Sequence, residues 1–258
     1  MKTKVVDVII PYYKKKKFIT KTINSILNQS FKSHRIILIY DDKNLKDYFF
    51  LKKNYGSKII ILVNKKNLGA GISRNKGIKF SSSKYIAFCD ADDIWKKNKL
   101  EKQINYMEVN NLDFIHSSYY IINEKNQING IMPIKEKLSY YDLLKSCDIG
   151  LSTVVVKRSL LRKNLFKNLK TKEDYCLWLK LLRAGVNING INKCLVYWRK
   201  NKVSLSSNTF QKLKDAFTLY NKYEKFSKAL SLFFILRLSF NFILKRIKQK
   251  KNLNDNIL

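Results

Sequence analysis

Three aspartates fall within four positions, Asp90, Asp92 and Asp93, towards the end of "YIAFCDADDIW" (Tyr85–Trp95). Carboxylates that close repel one another and resist desolvation unless something positive sits among them. The chain has a formal net charge of +33, so gathering its scarce acids here points to a divalent cation. Mg²⁺ or Mn²⁺ needs only one or two carboxylates, its other positions going to water and substrate phosphates. Asp90 and Asp92 point the same way if the segment stays extended. The alternative is that Asp93 caps the next helix and the others are solvated.

Other candidate groups lie on either side. Asp41 and Asp42 follow "RIILIY". In "NLGAGISRNKG", Gly69 and Gly71 permit a tight turn, and Arg74 offers a fork of donors to a phosphate or a base edge. The same pattern also fits a plain loop running into a helix. Glu173 and Asp174 open "EDYCLWLKLLRAG". An acid pair there is either a helix N-terminus favoured by the macrodipole or a candidate general base, and neither role excludes the other.

These residues need elements to position them. "VVDVII", "RIILIY", "KIIILV" and "KYIAFC" read as buried strands rich in β-branched residues. Between them, "FITKTINSILNQS" puts Phe18, Ile19, Thr22, Ile23, Ile26 and Leu27 on one helical face. "AGISRNKGIKF" and "KKNKLEKQINYMEVN" read as further helices. Alternating strands and helices imply an α/β fold with a mostly parallel central sheet flanked by helices, which binds ligands at the carboxyl ends of its strands. Asp41, Asp42 and the Asp90–Asp93 cluster fall at such ends. The second half is less regular: strands over "DFIHSSYYII", "STVVVKR" and "CLVYWRK", helices over "SYYDLLKS" and "EDYCLWLKLLRAG", then a helical tail from about Thr209.

Hydrophobic residues make up 45% of the 258 and aromatics 13%, enough for a real core. The 52 Lys+Arg against 19 Asp+Glu admit three readings: AT-rich compositional drift, an anionic membrane surface, or nucleic acid. Cys89, Cys147, Cys176 and Cys194 form no CxxC pair and read as reduced residues of a cytoplasmic protein. Met1–Val8 is no signal peptide, and no stretch reaches the roughly 20 apolar residues of a membrane span.

Six blocks in order, "VIIPYY", "SILNQSF", "IILIYDD", "NLGAGISRNKGI", "IAFCDADDIW" and "EDYCLWLKLLRAG", resemble family 2 glycosyltransferases of the type-A fold, inverting enzymes of bacterial surface-polysaccharide synthesis. The resemblance runs from Val5 to Ser206, and implies a catalytic domain over residues 1–206 with a helical, basic tail over 207–258. It implies that Asp41 binds the nucleotide base and that Pro11 and Tyr13 line the base pocket. Arg74 would contact the donor nucleotide, Asp90 the ribose and metal region, and Asp92 the Mg²⁺ or Mn²⁺ that bridges the diphosphate. Asp174 would be the base, with Glu173 positioning it, and Arg199 would contact phosphate or pair at the surface. The donor would be a nucleoside-diphosphate sugar, a UDP-sugar first, and the acceptor a glycan or a lipid-linked sugar. "DDKN" departs from the common "DDGS", the "QxxRW" of processive synthases is missing, and so is a His often found near "YWRKNKVSLSSN". His116 reads as a core or rim histidine.

Rival readings fit less well. A nucleic-acid-binding protein lacks a basic stretch interleaved with aromatics, and the acidic clusters would repel phosphate, so no specific nucleic-acid partner is expected. A sugar nucleotidyltransferase would need a glycine-rich N-terminal signature that "PYYKKKKF" does not contain. A non-catalytic relative would not need Asp92 and Asp174. Between Lys225 and Lys251 there are eight Lys or Arg and no acid, around "ALSLFFILRLSFNFIL". Arg237, Asn241, Lys245 and Lys248 form a polar stripe at helical spacing, the layout of a helix lying in a membrane interface. The alternative is a helix packed on the catalytic domain or in a dimer. The expected location is the inner face of the cell membrane, peripherally bound from the cytoplasm.

Overall fold

A computed structural model describes residues 4–201 and 208–254, with only the backbone helix described over 245–254. The four apolar runs of the first half form β1 (Val6–Tyr12), β2 (His34–Tyr40), β3 (Ile60–Val63) and β4 (Tyr85–Phe88). All are parallel, in the order β3-β2-β1-β4. Side chains alternate across the sheet as a period of two requires. Ile9, Ile37 and Ile39 enter one core, while Val8, Ile10, Ile36, Leu38 and Tyr40 enter the other.

One core is closed by α1 (Lys16–Leu27), α2 (Lys46–Tyr55) and α4 (Lys99–Val109). Ile19, Thr22, Ile23 and Ile26 of α1 are buried, at the spacing that puts them on one face. The opposite core takes α3 (Ala70–Phe80), α5 (Tyr140–Lys145) and α7 (Glu173–Arg183). Gly77 lets α3 lie close on the sheet, because a Cβ there would stand 2.7 Å from Ile9 Cγ2. Trp178 of α7 is fully buried, with Phe114 edge-on at a centroid distance of 4.9 Å and Phe166 at 6.1 Å.

The sheet continues as β4-β9-β6-β10-β5, with β7 (Ile128–Met132) paired to β6 and β8 (Lys137–Leu138) to β10. β9 (Val155–Lys157) runs antiparallel to both β4 and β6 (Phe114–Ile122). Because it reverses direction twice over, β6 and β10 (Ile188–Arg199) point the same way as β1 to β4. The sheet is therefore mostly parallel, and its main strands end on one common rim. The two-residue β5 (Ile94–Trp95) pairs with β10, so the Asp90–Asp93 turn crosses that rim from the centre of the sheet to its far edge. α6 (Arg158–Leu161) follows β9.

α8 (Thr209–Thr218), a π-helical turn at Leu219–Tyr223 and α9 (Lys228–Asn254) form the tail. Ala216, Leu219, Tyr220 and Ile235 belong to the same core as α7. Asp215 is buried, accepting from Thr171 N at 2.8 Å and Thr171 Oγ1 at 2.9 Å. The expected division between residues 206 and 207 lies outside the described residues, as do most of "VSLSSN" and the side chains of Lys245 and Lys248.

A carboxylate stands inside β1: Asp7 is fully buried and accepts two parallel bonds from Arg35, at 2.8 and 2.9 Å, and one from Ser81 Oγ at 2.7 Å. Burial pushes its pKa up, but the Arg35 and Ser81 bonds outweigh that and hold it below the ordinary 3.8. A folded value below the unfolded one contributes stability that is complete above the unfolded value and lost as the pH falls through the folded one. We expect Asp7→Asn to cost about 2–3 kcal/mol at pH 7, read by urea denaturation. The gap to the wild type should close as the pH drops below the ordinary carboxylate range; a gap independent of pH would assign the loss to packing instead.

Candidate active site

Asp41 follows β2 and is almost fully buried. Its Oδ1 accepts from Leu68 N and Asn64 Nδ2, and its Oδ2 from Gly69 N, each at 2.8 Å. Asn64 also donates to Ser73 Oγ at 3.0 Å. These bonds latch the turn before α3 onto the end of β2, and Gly69 supplies the φ of 83° that the turn needs. Three of about four carboxylate acceptor sites are filled. Tyr13, just after β1, is 41% exposed and Pro11 is half-buried, while Tyr12 stacks inward on Tyr40 at 5.3 Å.

The Asp90–Asp93 turn has a positive or donor partner for every carboxylate. Asp90 Oδ1 takes Arg74 Nη2 at 2.7 Å, and Asp92 Oδ2 takes Lys15 Nζ at 2.7 Å together with Asn201 Nδ2. Asp93 is buried and accepts from Ser152 Oγ at 2.5 Å and from Arg199 N at 2.8 Å, while Ser152 Oγ accepts from Asp90 N at 2.9 Å. Asp93 therefore pins the turn to the end of β10 and to the 3₁₀ turn before β9, and does not cap α4. Burial, with Asp92 and Asp90 adding repulsion, pushes its carboxyl well above the ordinary range.

Arg74 and Lys15 thus bring positive charge to Asp90 and Asp92 from within the chain, partners that the sequence did not reveal. The donor set still fits a divalent cation. Asp90 and Asp92 each use one oxygen in their cation contacts, Oδ1 and Oδ2 respectively, leaving a second oxygen apiece. Among the described residues no group of three or more His, Cys, Asp or Glu is arranged as a cage. Two carboxylates with the remainder from water and phosphate is what Mg²⁺ or Mn²⁺ accepts.

Arg74, on α3, is only 3% exposed and joins two parts of the site. Its Nη1 donates to Glu173 Oε1 at 2.7 Å while Nη2 holds Asp90. Burial pushes Glu173 up to about 7 against the downward pull of Arg74. α3 and α7 can abut here because residue 71 is glycine: a Cβ would stand 3.0 Å from Glu173 Cγ and 3.2 Å from the Lys167 carbonyl oxygen. Lys172, just before α7, adopts a left-handed φ of 68°. Asp174 is half-buried, and its Oδ1 accepts from Tyr175 N at 2.7 Å. Burial raises its carboxyl above 3.8, again opposed by Arg74. That is the direction a general base requires, since proton transfer works best when the base's pKa approaches the working pH.

Of the expected site residues, Asp41, Arg74, Asp90, Asp92, Glu173 and Asp174 line the rim, with Pro11 and Tyr13 at its β1 side. Arg199 stands apart. It is 3% exposed, and its side chain donates to the Asp92 carbonyl at 2.8 Å, the Asn123 carbonyl at 2.8 Å and Asn126 Oδ1 at 2.7 Å. It holds the acidic turn from behind, and its fork is directed at protein oxygens. His116 is fully buried, and burial depresses its pKa to about 4, so it is neutral. Lys15, Asn64, Ser152 and Asn201 escaped sequence reasoning; only Lys15 carried a signal, in the lysine run directly after a strand that ends at the site.

A mostly parallel sheet flanked by helices, with an acidic turn crossing its rim, is consistent with the type-A fold of glycosyltransferases. The chain belongs to glycosyl transferase family 2, whose family model matches residues 7–170, and it is a glycosyltransferase. It is 39% identical over 211 residues to the UDP-Glc:alpha-D-GlcNAc-diphosphoundecaprenol beta-1,3-glucosyltransferase WfgD of Escherichia coli, covering 81% of this chain and 82% of that one. It is 31% identical to the putative teichuronic acid biosynthesis glycosyltransferase TuaG of Bacillus subtilis (strain 168), covering 85% and 88%. The fold matches residues 1–349 of S. aureus TarS in complex with UDP-GlcNAc, with a TM-score of 0.70 at 19% identity over 89% of this chain and 70% of that one. It also matches the mannosyltransferase PcManGT of Pyrobaculum calidifontis in complex with GDP-Man and Mn²⁺, with a TM-score of 0.64 at 12% identity over 87% and 65%.

Removing the arginine leaves buried Glu173, and the partly exposed Asp90, without a positive partner. Arg74→Ala should lower stability by about 3–5 kcal/mol in denaturant titration, and adding Glu173→Gln should restore part of that. If the double variant is no more stable than the single one, the loss comes from packing rather than from an uncompensated charge.

Proposed function

We propose that this enzyme transfers a single sugar from a UDP-sugar, with inversion, to a lipid-linked acceptor in the assembly of a surface polysaccharide. The observation that carries the reading is the Asp90–Arg74–Glu173 chain, which ties the end of β4 to the acid pair of α7 through two contacts of 2.7 Å. In this reading the donor lies along the rim, its base against Tyr13 and the last acceptor site of Asp41. Asp90 and Asp92 would hold Mg²⁺ or Mn²⁺, which supplies Lewis acidity for the departing diphosphate. Asp174 takes the proton from the acceptor hydroxyl as its oxygen attacks the anomeric carbon, and the leaving group departs from the opposite face. Glu173, held by Arg74, fixes the start of α7 beneath that base. The acceptor class is supported by WfgD, whose name places its acceptor sugar on diphosphoundecaprenol.

We further propose that α9 rests on the inner face of the cell membrane. Ser231, Phe234, Ile235 and Leu238 turn towards the domain, and Phe234 stacks on Tyr220 at 5.5 Å. Leu232, Phe233, Leu236, Phe240 and Ile243 are exposed on the other side, Leu236 by 71%. The helix therefore packs and presents an apolar face at once, so the two alternatives read from the sequence are compatible. No helix among the described residues is long and apolar enough to cross a membrane. An apolar face on a basic helix matches adsorption to anionic lipid.

Two measurements test this. With a panel of nucleotide sugars, turnover should appear with a UDP-sugar and a membrane-borne lipid diphosphate sugar. Asp174→Asn should cut kcat by about 10²-fold or more with little change in donor affinity; a parallel collapse of donor affinity would move Asp174 to the binding pocket. For the tail, the wild type should co-sediment with anionic vesicles, less so in high salt. Leu236→Glu should weaken that binding without lowering the melting temperature. Equal binding by both proteins would remove α9 from the contact.

A further inference from the structure

Lys14 to Lys17 form a run of four lysines at the exit of β1 that the proposed transfer chemistry leaves unused. Three of them reach different walls of the rim. Lys16 faces Asp47 at 3.6 Å, Lys17 faces Glu124 at 2.7 Å, and Lys15 faces Asp92 at 2.7 Å. The first two pairs have lysines at least half exposed, where an ion pair contributes little. The third is different, with side-chain exposures of only 26% and 13%. The backbone also contributes: Lys14 adopts a left-handed φ of 50°, a conformation costly for a lysine and maintained only where the surroundings impose it. That sharp turn sets Lys15 at the head of α1, opposite the acidic turn.

A divalent ion on the second oxygen of Asp92 would stand only a few ångströms from the ammonium on Oδ2, and two cations that close repel one another. We infer that Lys15 is a positioning residue that couples metal to donor. The divalent ion displaces its ammonium from Asp92, and the released side chain, on its flexible four-carbon stem, pairs with the donor's diphosphate. This rests on the reading of Asp90 and Asp92 as the metal side of the site. Without donor, the ion works against the ammonium on the same carboxylate, with nothing to receive the lysine. With donor, the diphosphate receives it, so metal and nucleotide strengthen one another's binding.

The test uses the full-length protein and Mn²⁺, with free Mn²⁺ read by electron paramagnetic resonance, without and with UDP, and corrected by a protein-free UDP control. Lys15→Met should bind Mn²⁺ about fivefold or more tightly than the wild type when UDP is absent. Adding UDP should then raise its Mn²⁺ affinity by a smaller factor than in the wild type. Lys17→Met removes one charge from the same run but leaves Asp92 paired, and should match the wild type. Unchanged or weaker Mn²⁺ binding by Lys15→Met would falsify the displacement, and equal tightening by Lys17→Met would reduce it to a general charge effect. An unaltered gain from UDP in Lys15→Met would overturn the diphosphate contact. No Mn²⁺ binding by any of these proteins, with or without UDP, would instead sink the metal reading itself and the role of Lys15 with it.

Discussion

The site depends on one buried cation held between two acids. Arg74 is only 3% exposed and stays charged, and the two carboxylates it meets come from elements far apart in sequence, the end of β4 and the start of α7. Burying Arg74 and Glu173 is costly, and the fork geometry offsets that cost by giving each carboxylate a short, directed bond. The consequence is geometric. The end of β4 and the start of α7 cannot move independently, so a group bound against Asp90 and a group acting from Asp174 keep a fixed separation. Gly71 permits this by letting two helix N-termini meet where a methyl group would intrude.

Around that pair, the chain accepts unfavourable local conformations where they aim functional groups. Lys14 and Lys172 both hold positive φ without being glycine, one just before Lys15 and the other just before Glu173. Neither α1 nor α7 has a side-chain cap at its first turn. By contrast, α5, away from the acid pair, carries a complete capping box from Ser139 and Asp142. At Lys14 and Lys172, positioning prevails over local preference.

Much of this was legible from residue order. Strands β1 to β4 and helices α1, α3 and α7 follow from apolar runs and helical spacing, and the acidic turn and the acid pair stand out against a basic chain. What stayed hidden has physical causes. α2 buries only Leu51 and Tyr55, too few to give a clear period. β5 has two residues and exists through its pairing with β10. Direction is invisible in a three-residue apolar run, so β9 gave no sign of being antiparallel. The partners of the aspartates were hidden because Lys15 and Arg74 lie far from them in sequence. Local charge alone therefore pointed to a cation without revealing that Lys15 and Arg74 also bring positive charge to the cluster.

The reversed strand β9 also has a meaning in time. It is the strip that covers the open side of β4, and it lies near residue 155, long after β4 has left the ribosome. Until then a nascent chain carries a finished four-stranded sheet with one bare, apolar edge at its centre, ready to pair with another chain. The next strand available, β6, cannot seal it directly, since in the finished sheet β9 stands between them. A chain that pairs β1 to β4 before β9 emerges therefore passes through a window of some seventy residues in which that edge is uncovered. Synonymous changes that slow translation between β4 and β9 should lengthen that exposure and lower the yield of folded enzyme without altering a single side chain.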